Sequence, residues 1–163
     1  MSDMLVKLYA IEYACSEVKL SASGITVKKA CIIDKNIILD FVKINFSDET
    51  GWINECEYAL FNNPISCYIA TKDKKIIGFA CYDATAKGFF GPMGVIEEFR
   101  KKGIGKELLL KSLLSMKENG YAYAIIGWPT KNAADFYKKL VNAKIIEDSP
   151  PNKSIYRNSI SQE

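Results

Sequence analysis

Apolar and polar positions alternate through GITVKKACI, residues 24–32, which predicts a half-buried strand. Before it, LVKLYAI at 5–11 alternates only in part and predicts a short extra strand. After it the period changes. Ile37, Ile38, Phe41, Val42 and Ile44 recur at roughly helical spacing over 34–46, with Asp34 as N-cap. A second helix continues over 48–63 and stops where Asn62, Asn63 and Pro64 punctuate the chain.

Three strand-like runs follow at 66–72, 76–83 and 89–96, joined by short turns, and predict an antiparallel meander. The third, FFGPMGVI, carries Gly91, Pro92 and Gly94, which disrupt an ordinary ladder and suggest a β-bulge. A helix is expected from about 104 to 119. Leu108, Leu109, Ser112, Leu113 and Met116 form its buried stripe, and Gly120 follows its end. The apolar run YAYAIIG at 121–127 reads as a strand covered on both faces. Residues 130–141 give a helix capped by Thr130 or Asn132, and 143–148 and 154–158 give two closing strands. The strands at 89–96 and 121–127 flank a helical crossover and should be parallel neighbours in a mixed sheet.

Without repeats or a low-complexity linker, the 163 residues read as one domain, 1–163, with 1–23 as an N-terminal extension. Twenty-two basic and 19 acidic side chains leave a net charge of +3, too balanced for nucleic-acid binding through bulk charge. The chain has no histidine, which removes Ser-His and Cys-His nucleophiles. Five scattered cysteines without a C-x-x-C spacing read as buried reduced thiols, so no metal is expected. The N-terminal stretch does not read as a signal peptide, and no apolar run approaches the ~20 residues of a membrane span. The expectation is a cytoplasmic protein without a membrane partner.

Local chemistry concentrates in FRKKGIGKELLL, residues 99–110. Gly103 and Gly105 sit where the helix begins, among Arg100, Lys101, Lys102 and Lys106. The first turn of a helix has N–H groups without internal partners and about half a positive charge from the aligned peptide dipoles. Such a turn suits a phosphate or pyrophosphate. A P-loop is excluded, because Arg100 stands in place of its first glycine and Glu107 in place of its hydroxyl. A dinucleotide fingerprint is excluded by Leu108 at its third glycine. On these residues alone, an anion site and a plain helix start with a solvated basic face remain equal alternatives.

GPMGVIEEFRKKGIGKELL resembles the central motif of the GNAT (GCN5-related N-acetyltransferase) superfamily, V-x-P-x-x-R/Q-x-x-G-x-G/A. Val95, Arg100, Gly103 and Gly105 match, and Glu97 stands for the usual proline. NAADFYKKLVNA resembles the second motif through Ala133, Phe136, Tyr137 and Lys139, with Asn142 and Ala143 where Gly-Phe is usual. The resemblance covers roughly 24–158. It implies an α/β (α+β) fold, with a mixed central sheet of six to seven strands splayed between the fourth and fifth core strands. About four helices flank that sheet.

The resemblance also implies acetyl-CoA as cosubstrate. Its pyrophosphate would lie on the amides of Arg100, Lys101, Lys102, Gly103, Ile104, Gly105 and Lys106, and its pantetheine arm along Met93, Gly94 and Val95. Asn132 and Lys139 complete the implied cofactor set. An amide near Met93 would polarise the thioester carbonyl. Tyr137 matches the family's acid for the leaving thiolate. Asp83, Glu57 and Glu55 are the candidate bases, Trp52 and Trp128 candidate acceptor contacts, and Cys81 and Tyr82 candidate pocket residues. The implied reaction moves acetyl directly to a primary amine of a small molecule or peptide, with homodimers common in the family. A non-catalytic acyl-CoA-binding sensor is the alternative, and a nucleic-acid module using RKKGIGK is a third reading disfavoured by the weak net charge.

Overall fold

The computed structural model describes residues 1–14 and 17–160. Seven strands occur in it: β1 (Met4–Lys7), β2 (Ile25–Lys29), β3 (Cys67–Lys72), β4 (Lys75–Tyr82), β5 (Phe89–Val95), β6 (Tyr123–Ile126) and β7 (Lys144–Ile145). They form a single mixed sheet ordered β2-β3-β4-β5-β6-β1-β7. The helices are α1 (Glu17–Ala22), α2 (Lys35–Asn45), α3 (Trp52–Phe61), α4 (Ile104–Glu118) and α5 (Lys131–Val141).

Strands β2 to β5 form the expected antiparallel meander. The expected parallel pair of β5 and β6 is also present, and it is very short: Phe89 faces Ile125, Phe90 faces Ile126, and the pairing ends there. Beyond Phe90 the two strands part, which opens a split between the fourth and fifth core strands. The β4–β5 register skips between Ala80/Met93 and Tyr82/Phe90, so β5 holds an extra residue at Gly91–Pro92. That is the bulge suggested by its glycine and proline.

Two apolar layers cover the sheet. Met4, Val6, Leu108, Leu109, Leu113, Met116, Ala124 and Ile126 pack on the α4 and α5 side. Ile38, Val42, Cys56, Leu60, Ile69 and Phe79 pack on the α2 and α3 side. The whole predicted α4 stripe is buried. On α2 the stripe is narrower, since Ile37 and Ile44 are exposed and only Ile38, Phe41 and Val42 are buried. Asp34 occupies the N-cap position of α2 without a side-chain capping bond, and Thr130 caps α5 by accepting the Ala133 N–H. Asn142 adopts φ 51° after α5, the left-handed cap that the family's glycine usually supplies.

Three expectations are corrected at the chain ends. The first strand is Met4–Lys7 followed by a 3-10 turn at Leu8–Ala10, and it lies inside the sheet between β6 and β7, with α1 after it. The strand expected over 143–148 shortens to β7, and the strand expected over 154–158 is a 3-10 turn, Ile155–Asn158, following another at Pro151–Lys153. Pro150 and Pro151 offer no N–H to a ladder, and the Ser154 hydroxyl is held by the Asp3 carboxylate. This C-terminal segment therefore lies over the sheet as a strap.

Candidate active site

The anion turn forms where β5 runs into α4. Gly103 takes φ 87° as N-cap, a left-handed conformation that costs any other residue about 1–2 kcal/mol. Gly105 differs: a β-carbon there would meet Phe136 at 3.6 Å, an ordinary contact. Only the first glycine is thus demanded by backbone geometry. Among the described residues, no N–H from Lys101 to Lys106 donates to a backbone acceptor. Arg100 stands apart from this run. Its N–H donates to the Glu97 carbonyl (3.1 Å) and its side-chain Nε to the Val95 carbonyl (3.0 Å), so it braces the turn. Lys101 and Lys102 are exposed, and the Lys102 ammonium lies 5.1 Å from the centre of the Phe99 ring.

Ladder phase decides which β5 groups face the split. The Ile96 N–H donates to the Ile77 carbonyl (3.0 Å), which makes Gly94 opposite Phe79 the next hydrogen-bonded position. Met93 and Val95 then turn their N–H and C=O groups away from β4, into the split. Gly94 matters through its missing side chain instead. A β-carbon there would fall 2.5 to 2.9 Å from the Phe46 ring. Phe46 belongs to an aromatic cluster with Phe41, Trp52 and Phe79, with ring centres 5.3 to 5.9 Å from it. Trp52 is accordingly a packing residue.

Tyr137 is buried against Phe90 (ring centres 6.0 Å apart) and Phe136 (5.4 Å). Phe90 is the last β5 residue paired to β6, so the phenol belongs to the fork, on the α4 and α5 side. Burial pushes its pKa well above the usual phenol value, which keeps it a neutral O–H donor. Asn132 and Lys139 are exposed on α5.

The carboxylates sort differently from the sequence reading. Glu57 forms an ion pair with Lys35 (3.0 Å), which ties α3 to α2. Asp83 organises the β4–β5 turn: its Oδ1 accepts the Gly88 N–H (2.7 Å), its Oδ2 accepts the Tyr121 hydroxyl (3.1 Å), and its own φ is 51°. Both bonds hold the carboxylate in the turn. Glu55, also on α3, is half-buried and accepts a hydrogen bond from the Thr85 hydroxyl. Burial raises its pKa, the Thr85 bond opposes this, and the charge of Glu49 adds to the rise.

Tyr156 carries the group missed from the sequence. Its ring packs against Trp128, with centres 5.8 Å apart, and a β-carbon on Gly127 would collide with its hydroxyl. Burial, then the charges of Glu55 and Asp3, push its phenol up to about 12, against an opposing hydrogen bond from Thr85. The sequence reading placed this tyrosine in a closing strand and gave it no role. Cys81 and Tyr82 are both core residues, packed on opposite faces of the sheet. Cys56, Cys67 and Cys81 converge between α3 and the sheet, with all three Sγ atoms within 4.8 Å of one another, and Cys31 is exposed. The neighbouring thiols of Cys67 and Cys81 draw the Cys56 pKa down, against its burial. Cys15 lies outside the described residues. Among those residues, no helix is long and apolar enough to cross a membrane.

A mixed seven-stranded sheet that forks between β5 and β6, with a glycine turn at the foot of the fork, defines the fold class. Residues 63–140 match the family model described as an acetyltransferase (GNAT) domain, so the resemblance seen in the two motifs is borne out. No curated protein matches the chain at a significant level. Solved structures share its fold. The GCN5-related glucosamine N-acetyltransferase region of a fungal multi-domain beta-N-acetylglucosaminidase superposes with TM-score 0.70 at 14% identity, over 89% of this chain and 19% of that one. A GCN5-related N-acetyltransferase from Sphaerobacter thermophilus gives 0.64 at 18% identity, over 89% of this chain and 48% of that one. An aminoglycoside N-acetyltransferase in complex with CoA gives 0.58 at 16% identity, over 77% of this chain and 90% of that one. The chain therefore spans less than half the length of the first two.

Proposed function

We propose that this chain is a cytoplasmic acetyl-CoA-dependent N-acetyltransferase that passes acetyl directly to a primary amine of a small molecule or peptide. One observation carries the reading: the N–H groups of Lys101–Lys106, which donate to no backbone acceptor, follow a strand whose Met93 backbone groups and Val95 N–H face the split, the Val95 carbonyl being taken by Arg100. Donors without backbone acceptors beside lysine charge fit a pyrophosphate, and the edge of β5 beyond Phe90 fits an extended amide-bearing arm. CoA, when bound, supplies the acetyl group as a thioester.

The remaining chemistry belongs to the chain. The Met93 N–H points into the split and donates to the carbonyl oxygen that gains charge. The carboxylate of Glu55 replaces Glu57 and Asp83 as the base that takes the acceptor's proton, directly or through water. Its raised pKa brings it nearer neutrality, where proton transfer is most efficient. The neutral phenol of Tyr137, at the fork, gives a proton to the departing thiolate. No covalent intermediate is required, in keeping with a chain that has no histidine.

The test is calorimetry with CoA followed by thiol release from acetyl-CoA across an amine panel. Micromolar CoA binding with amine-dependent release supports the reading. CoA binding without release for any amine favours the acyl-CoA sensor, and no CoA binding rejects both.

A further inference from the structure

The two strands that part at the fork each present a glycine directly after their last pair, Gly91 on β5 and Gly127 after β6. The space beside them is unequal. A β-carbon on Gly91 would meet nothing within 4 Å, whereas one on Gly127 would collide with the Tyr156 hydroxyl. The place a side chain would take is thus open at Gly91 and filled by a phenol at Gly127. From there the Tyr156 phenol is within reach of the charge of Glu55, whose carboxylate accepts the Thr85 hydroxyl. The strap that carries the phenol is fastened down. Asp3 accepts from the Ser154 hydroxyl and from the Trp128 N–H (3.0 Å), and its own N–H meets Ser149 Oγ at 3.0 Å.

An amine approaching the fork from the α3 side therefore has to pass the edge of a pinned aromatic ring. The wall it meets is a carboxylate, a hydroxyl and the paired rings of Trp128 and Tyr156. Carboxylate and aromatic faces attract an ammonium, and a fixed ring leaves little room for substituents on the carbon that bears it. Resting on the N-acetyltransferase reading above, we propose that Tyr156 is the specificity-determining residue for the acceptor and restricts it to unbranched primary alkylammonium groups.

Three probes test this by calorimetry on the full chain: CoA, CoA joined through an acetyl spacer to n-butylamine, and the same conjugate of tert-butylamine. The wild type is expected to bind CoA and the linear conjugate within about threefold of each other, and the branched conjugate at least about tenfold more weakly. Tyr156→Ala is expected to remove the gap, and Tyr156→Phe, which keeps the ring, to preserve it. A wild type that binds both conjugates alike overturns the proposal without any variant, as does a folded Tyr156→Ala that still discriminates. Failure of CoA itself to bind removes the underlying reading and the gate with it.

Discussion

The carboxylate of Asp3 accepts the backbone N–H of Trp128 at 3.0 Å, across 125 positions of chain. The same side chain takes the Ser154 hydroxyl and is 6% exposed. Replacing it by alanine leaves two donors without partners in a dry place. Asp3→Ala is expected to lose about 2–4 kcal/mol in urea unfolding, because each stranded buried group costs about 1–3 kcal/mol. Asp3→Asn, which can still accept, should lose less.

Glu55→Gln separates catalysis from stability. Thiol release should fall ~10²- to 10⁴-fold if Glu55 is the base, with CoA affinity unchanged. Stability should move the other way. Folding raises the pKa of Glu55, so the ionised carboxylate weakens the fold once pH exceeds its folded pKa, and this penalty is absent below the ordinary value of 4.5. The amide should therefore have the higher melting temperature at pH 7, with the advantage vanishing as pH falls below that value.

Tyr137→Phe keeps the ring contacts with Phe90 and Phe136 and deletes only the hydroxyl. The expected result is a fall in thiol release of about 10²-fold with unaltered CoA binding and melting temperature. Full activity in this variant assigns the proton donor elsewhere.

Gly94→Ala drives a methyl group into the Phe46 ring, which three other aromatic rings hold in place. Overpacking of this kind costs about 1–3 kcal/mol, measurable by chemical denaturation. Adding Phe46→Leu should recover part of the loss by giving the methyl room.

Gly103→Ala probes conformation without crowding, since a β-carbon there meets nothing within 4 Å while φ remains 87°. About 1 kcal/mol of stability should be lost. CoA affinity should fall further, because relaxing this residue rotates the amides that follow it. The neighbouring Gly105→Ala should be mild, and equal losses at both positions would contradict the distinction.

Local signals were legible in the sequence where the physics is local. The α4 stripe, the Gly120 stop, the β5 bulge and the glycine turn all follow from neighbours a few residues away. Glu55 and Glu57 show where that ends. Both sit in NECEY, and two residues rotate a helix by more than half a turn. Choosing between them requires knowing that Lys35 faces one and Thr85 the other. Asp83 looked like a free carboxylate because its partners, Gly88 and Tyr121, are set by turn geometry and by the distant connection between α4 and β6. Residues 154–158 alternate well enough for a strand, but the strap they form is set by Asp3, at the other end of the chain. The fork itself was carried by the family resemblance.

The interior position of β1 has a consequence for assembly. Met4 pairs with Ile126 on one side and Ile145 on the other. The strands that flank this segment lie more than a hundred positions further along, so Met4 and Val6 stay uncovered until those strands are in place. Sequence-distant pairing of this kind is intrinsically slow to form. The half of the sheet that bears Gly127 and Trp128 therefore depends on strand pairs of long sequence separation, and its completion is the slow part of assembling the sheet.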